Sequence, residues 1–467
     1  MLSFAATGHE DGMKLQSIQI LRGIAALLVV AYHIRAQEVL AIGGNGLSEM
    51  PFLNGFVNNG FAGVDLFFVI SGFIMVYVTD GVRPGLKSSL DFLFARATRI
   101  YPLWWFFSAL MITMMIAYNL LGFGANWERA LQGQPMVPYL FKSFFLIPQY
   151  AFPLPAVGWT LVHEMYFYAA FTLILLAPRR FLLWILLVWG LVIAGGAMVG
   201  MSKPLAIDYA SLVLSPMTME FILGAVVGVA VGSGVAWRSG LMTLVAILWL
   251  AGSLTFHRPD DLALITWNRI IEFGLPCTLL VYGFATLELS KRQAWLVPAG
   301  IGALTAAMIS FLYGLPADSP FDQRAGAAIV TVLVGAVAMM ASLWFGWLGG
   351  QSMPNRLRRT TPYFEACYKG LARLGDWSFS LYLCHVILLT LTRLAFGFLG
   401  DIPALAPIFQ LGHKGPLDNI ALVMVCLAAS IIAAGLSYRL IERPMIIGFS
   451  GLRERLFHSD PTKPQVG

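Results

Sequence analysis

Apolar windows recur along the chain at about 17–36, 60–80, 100–121, 157–177, 181–200, 211–232, 239–256, 268–289, 294–313, 326–347, 377–397 and 419–438. Each is close to the roughly 20 residues that a helix needs to cross a bilayer. The predicted fold is therefore all-α: a polytopic transmembrane helical bundle of about 12 spans over 17–446, between a cytoplasmic N-terminus at 1–16 and a cytoplasmic tail at 447–467. The first window has no small-residue cleavage site near its end and reads as an uncleaved span. Three connections are long, at about 37–59, 122–156 and 348–376. The second carries Pro135, Pro138, Pro148, Pro153 and Pro155, which predicts an ordered cap lying on the membrane, whereas the last fifteen residues or so predict a disordered tail.

Basic residues set the orientation. With the N-terminus inside, 21 of the 30 Lys and Arg fall on the cytoplasmic side, which places both termini there. Composition agrees with a membrane protein: 58% hydrophobic, 12% charged and mean hydropathy +0.76, against about 25% charged in soluble domains. A water-soluble domain is excluded. The net charge of +6 is spread in ones and twos between apolar stretches, so it reports topology and not a nucleic-acid partner. Cys277, Cys384 and Cys426 lie in apolar stretches and Cys367 in a basic one, with no C-x-x-C spacing and no His/Cys cluster. No disulfide framework and no metal site is predicted.

Polar groups inside the apolar windows carry the chemistry, because each costs about 2.5–3.5 kcal/mol at the centre of a span. Arg22 and His33 are eleven residues apart, about 20° past three full helical turns, so they share one face about 16 Å apart along the axis. Arg22 could be only a snorkelling anchor, and His33 only a packing histidine bonded to a backbone carbonyl. Asp65 is placed in the outer third of the second span and Ser71 near its middle. In the fourth span Trp159 reads as an outer interface anchor, with Glu164 about 7 Å deeper. His385 lies about 13 Å inward from Trp377. Four spans thus bring a His or a carboxylate inside, which one polar cavity explains more simply than four separate structural roles. Glu220, Glu272 and Glu288 read as structural or interfacial. At the inner face Arg96 and Arg99, three apart and flush with the aromatic run Tyr101-Pro-Leu-Trp104-Trp105, suit a phosphate-binding rim as well as they suit the positive-inside rule.

Taken in order, these segments resemble the acyltransferase-3 family of integral membrane acyltransferases. The resemblance lies in Arg22-x10-His33, Gly63-Val-Asp65-Leu-Phe-Phe-Val-Ile-Ser71-Gly72, Arg96-x-x-Arg99-Ile-Tyr101-Pro102, Trp159-Thr-Leu-x-x-Glu164-x-x-Phe-Tyr168, Ser380-Leu-Tyr382-Leu-x-His385 and Glu442-Arg-Pro444. The opening Leu15-Gln-Ser-Ile-Gln-Ile-Leu-Arg22 is similar to the exopolysaccharide-acetylating branch. Coverage is about 14–290 and 371–446, and the roughly eighty residues between read as a hairpin inserted at 291–370 into a ten-helix core.

The resemblance implies a multi-pass enzyme of the bacterial cytoplasmic (inner) membrane. It would move an acyl group, usually acetyl, from cytoplasmic acyl-CoA to a hydroxyl of a carbohydrate or lipid-linked glycan, with no bound cofactor; oligomeric state, a homo-oligomer included, is left open. By resemblance and depth, His33 is the general base or an acyl-accepting nucleophile, oriented by Glu164 or Asp65. Arg22, Arg96, Arg99 and Tyr101 would bind acyl-CoA, and Ser71, Tyr101 and His385 would line the channel. No G-x-S-x-G occurs, which argues against a serine acyl-enzyme. The rival class is a proton-coupled transporter or flippase, which also needs intramembrane His and carboxylates. A non-enzymatic scaffold fits the number of buried titratable groups less well.

Overall fold

A computed structural model describes residues 15–44, 52, 55–122, 127–203, 206–257, 267–290, 361–411 and 417–458. The principal helices are α1 (Gln16–Gly44), α2 (Ala62–Val78), α3 (Leu86–Leu120), α4 (Met136–Phe144), α5 (Trp159–Ile174), α6 (Leu182–Met198), α7 (Met217–Gly232), α8 (Ser239–Phe256), α9 (Leu275–Leu289), α10 (Thr361–Asp376), α11 (Ser378–Gly400), α12 (Leu417–Ser437) and α13 (Arg443–Arg453). Among the described residues there is no strand. Ten of the twelve apolar windows fall on these helices. The windows at 294–313 and 326–347, and with them most of the inserted hairpin, lie outside the described residues.

Among the described residues seven helical segments are long and apolar enough to cross a membrane: Gln16–Gly43, Leu86–Leu120, Arg179–Met198, Tyr209–Gly232, Trp267–Leu289, Ser378–Gly400 and Leu417–His458. Ala62–Val78 and Ser239–Thr255 are apolar but shorter. The chain is a multi-pass integral membrane protein. Its contacts divide it into two compact units, one of residues 1–78 and 219–432, the other of residues 79–218 and 433–467.

The core of the first unit is built by Ile18, Leu21 and Ala25 of α1, Leu66, Val69, Ile70 and Phe73 of α2, Val227 and Val231 of α7, and Cys277, Val281 and Ala285 of α9. Lipid gives little hydrophobic drive between helices, so close approach of backbones at small residues does the work. A Cβ on Gly72 would stand 1.9 Å from the Phe221 carbonyl oxygen, and one on Gly224 would stand 2.0 Å from that of Val69, so α2 and α7 cross at these two glycines. Likewise a Cβ on Gly375 would meet the Gln19 carbonyl oxygen at 1.9 Å, which brings α10 onto the start of α1. Glu288 closes the N-terminus of α1: its carboxylate accepts the backbone N–H groups of Gln16 and Ser17, both at 2.9 Å, and the Ser17 hydroxyl at 2.5 Å. Those orphan donors and the positive end of the helix dipole account for a carboxylate at that position. The structural reading of Glu288 holds.

In the second unit α3 has 35 residues, about 52 Å, and extends well below its apolar window. Here one sequence expectation is corrected. The described part of the 122–156 connection, read as an ordered cap, is ordered and packs back along α3. Tyr139, Ala151 and Leu154 bury themselves with Met111, Ile112 and Met115, and further along Trp104 Nε1 donates to the Ser143 carbonyl at 3.1 Å and Trp105 Nε1 to that of Phe144 at 3.0 Å. Indole N–H groups in an apolar setting need acceptors, and carbonyls of the last turn of α4 supply them. Burial against that packing pushes the Tyr139 phenol up to about 12, while its hydroxyl donates to the Phe152 carbonyl at 3.0 Å. The correction concerns α5, whose start lies beside the middle of α3: a Cβ on Gly158 would collide with Trp104 at 2.2 Å, and Phe92 packs edge-on to Tyr168. Trp159 is thus level with the aromatic run of α3 and not at the opposite face.

Of the last fifteen residues or so, read as a disordered tail, those up to His458 are helical: α13 continues through Glu454–His458, because Arg453 makes a bidentate pair with Asp91 of α3 at 2.6 and 2.8 Å and Phe457 packs on Phe94 at 5.8 Å. Residues 459–467 lie outside the described residues.

Candidate active site

Within the first unit α1 and α11 bring His33 and His385 together, with His385 Nε2 3.3 Å from His33 Nδ1 and the rings 5.0 Å apart. Each Nδ1 also lies against the carbonyl one turn back, Val29 at 2.9 Å for His33 and Leu381 at 3.1 Å for His385. A carbonyl only accepts, so both neutral rings carry their proton on Nδ1. It follows that His385 Nε2 offers a lone pair to the His33 Nδ1–H, and that His33 keeps its own Nε2 lone pair for a reacting group. Among the described residues no protein group bonds that nitrogen. The carbonyl bond of a packing histidine is present, but the ring is not sealed: His385 is fully buried, whereas His33 is half-buried.

The arrangement can take a proton on His33 Nε2 and spread the resulting charge through Nδ1–H onto Val29 and His385. That is the orienting role usually given to a carboxylate. Asp65, one of the two carboxylates named from the sequence, does not fill it. Asp65 is fully buried and spends both oxygens on Arg269, Oδ1 on Nε and Oδ2 on Nη2, each at 2.7 Å. Arg269 is equally buried, lies 4.7 Å above the Phe61 ring, and donates to the Phe61 carbonyl at 3.3 Å. Phe61 in turn meets Tyr32, the neighbour of His33, edge-on at 5.7 Å. Asp65 therefore braces the wall beside His33 and does not hold the imidazole.

Sequence reasoning missed Arg269. A signal was available: a carboxylate inside a span demands a cationic partner, and Arg269 stands just inside the 268–289 window. Glu220 also faces this pair and is fully buried. Glu272, read from sequence as structural, takes His257 Nδ1 as its partner. Arg22 is half-buried one helix face below His33 and donates to Gln19 Oε1 at 3.4 Å, while Ser71 is buried in α2 beside the Gly72 crossing.

The second unit holds the other named residues. Arg96 of α3 lies over Phe92 at 5.6 Å, within electrostatic reach of Tyr168, Arg99, Arg453 and Glu164. Its buried Nε–H has no hydrogen-bond partner among the described residues. Glu164 accepts the Tyr168 hydroxyl one turn along α5. Since α5 runs antiparallel to α3 from the level of Trp104, Glu164 falls beside Arg96, although the sequence placed the two at opposite faces. There it acts on Arg96 as an opposite charge. Tyr101 gives its hydroxyl proton to the Phe145 carbonyl at 3.1 Å, so that proton holds the packed-back connection. Among the described residues no group of His, Cys, Asp and Glu is arranged to hold a metal ion.

A membrane-embedded helical chain with a paired histidine in one unit and a cluster of arginines in the other is compatible with an acyl-transfer enzyme, and comparison shows the class. The chain belongs to the acyltransferase-3 family, whose acyltransferase-domain profile matches residues 15–439. It is an O-acyltransferase. It is 28% identical over 400 residues to the exopolysaccharide production protein ExoZ of Rhizobium meliloti (strain 1021), covering 83% of this chain and 90% of that protein. It is also 23% identical over 468 residues to the peptidoglycan O-acetyltransferase OatA of Listeria monocytogenes serovar 1/2a, covering 96% of this chain and 59% of that protein. No solved structure matches the chain.

Proposed function

We propose that the enzyme transfers an acetyl group from acyl-CoA to a hydroxyl of a polysaccharide or of its lipid-linked precursor. The observation that carries this reading is the His33–His385 pair, which leaves His33 Nε2 as a base of defined tautomer. The acceptor O–H loses its proton to Nε2 as its oxygen attacks the thioester carbonyl; the C–S bond then breaks, and the proton passes from Nε2 to the departing sulfur. The arginines proposed as phosphate partners are Arg22 in the first unit and Arg96 and Arg99 in the second. The carbohydrate acceptor is supported by the two relatives, whose names concern exopolysaccharide production and peptidoglycan O-acetylation.

The same reading has twelve spans in the cytoplasmic membrane with both termini inside. Donor arrives from the cytoplasm and acceptor from the opposite side. His33 lies about 16 Å along α1 from Arg22, a separation that an extended thioester arm can bridge. Purified protein in sealed, uniformly oriented vesicles tests this, with acetyl-CoA supplied only at the cytoplasmic face and a polysaccharide acceptor only at the other. Acceptor-dependent thiol release and acetylated product are expected. Product formed only when both substrates share the cytoplasmic face overturns the sidedness, and no thiol release with any glycan acceptor overturns the substrate assignment.

A further inference from the structure

The C-terminal helix carries an arginine that sequence reasoning counted only toward topology. Arg453 is held by Asp91 through its Nε and Nη2 at 2.6 and 2.8 Å, and His458 Nε2 stands 3.7 Å from the same carboxylate. Phe457 packs on Phe94, so the segment is fastened to α3 by both an ion pair and a ring contact, on the turns that also carry Arg96 and Arg99. Arg453 and Arg99 both act on Arg96 as like charges. Around Arg96 the charged neighbours are thus the guanidiniums of Arg99 and Arg453 and the carboxylate of Glu164, which accepts from Tyr168, while Asp91 is bound bidentately by Arg453. The Arg453–Asp91 pair anchors the C-terminal helix and at the same time sets a further cation near Arg96, whose buried Nε–H has no hydrogen-bond partner among the described residues. Surplus positive charge held at fixed geometry is what a polyphosphate ligand requires.

We propose that Arg453 is a third arginine of the acyl-CoA phosphate site, and that Asp91 is a positioning residue that sets its guanidinium plane. The inference rests on the reading of Arg96 and Arg99 as the donor site. Bidentate pairing fixes both the distance and the plane of a guanidinium, so the carboxylate helps an anion bind by holding the cation in place even though its own charge opposes the anion. The two effects have opposite signs, which makes Asp91 the deciding position.

The experiment measures KM for acetyl-CoA and for the polysaccharide acceptor in Arg453→Gln, Arg453→Lys, Asp91→Asn, the double variant Asp91→Asn/Arg453→Gln, and Arg96→Gln. Arg453→Gln is expected to raise KM for acetyl-CoA about tenfold with the acceptor KM unchanged, and Arg453→Lys to raise it less. Asp91→Asn is expected to raise it too, although a negative charge has been removed, and the double variant to be no worse than Arg453→Gln alone. A lower KM for acetyl-CoA in Asp91→Asn overturns the positioning role. An unchanged KM in Arg453→Gln, or an equal loss for both substrates, overturns the binding role, provided Arg96→Gln raises KM for acetyl-CoA. If Arg96→Gln leaves that KM unchanged as well, the donor-site reading itself fails.

Discussion

The two units handle buried charge in opposite ways. In the first, Asp65 and Arg269 are each fully buried and matched atom for atom at 2.7 Å beside the equally buried Glu220, and the histidine pair is made of imidazoles whose Nδ1 atoms each lie against a backbone carbonyl. In the second, arginines outnumber their carboxylates, and the Arg453–Asp91 pair keeps 33% and 15% of its side-chain surface exposed. Deep in a low-dielectric interior an unmatched charge is ruinous, so a site there must be neutral and hydrogen-bonded before substrate arrives. Nearer solvent, an excess of one sign is tolerable and useful, because the ligand supplies the missing charge. On the proposed function, the contrast would separate proton transfer in one unit from anion binding in the other.

The sharpest way to break that contrast is at His33. Replacing it with Ala is expected to reduce acyl transfer by about 10²–10⁴-fold with the protein still inserted, since no other group of the pair has a free lone pair. A His33→Ala enzyme keeping a tenth of wild-type turnover would remove the base role. Next in size is Arg269. Arg269→Met strands the Asp65 carboxylate and is expected to cost about 3–5 kcal/mol by thermal unfolding in detergent, while Asp65→Leu combined with Arg269→Met should restore most of the loss. A double variant as unstable as the single would mean that the pair does more than neutralise itself.

A smaller effect is expected at His385, and it tests the relay. His385→Leu removes the acceptor facing His33 Nδ1–H and is expected to lower turnover about ten- to a hundredfold; His385→Gln can still present a carbonyl oxygen and should lose less. Equal losses in the two would show that bulk and not the hydrogen bond matters. The smallest effect belongs to the second unit. Arg96→Gln is expected to raise KM for acetyl-CoA about tenfold with turnover little changed, and added salt should weaken wild-type donor binding in the same direction. Insensitivity of donor KM to salt would remove the surplus charge from the account of binding.

Much of the fold was legible because hydropathy has no competitor in a membrane: backbone must be helical there, and ten windows fall on helices as the pattern predicted. Local spacing was as reliable. Arg22 and His33 lie on one continuous helix, and the depth read for His33 and His385 from their own spans brought the two into contact. Where depth was read from an assumed direction of chain entry it failed, as for Trp159 and Glu164, because the 122–156 connection folds back along α3.

The sequence by itself determined which residues are helical, which are costly to bury, and which family's motifs they form, since these follow from composition and from a fixed period of 3.6 residues. Partner choice was decided only by tertiary structure. Asp65 could have served His33 on any reading of its span; it meets Arg269, 204 positions away, and His33 meets His385, 352 positions away. A side chain's partner depends on helix crossings set by a few glycine contacts such as Gly72 on Phe221, and no periodicity along one segment encodes which distant segment will fill that crossing.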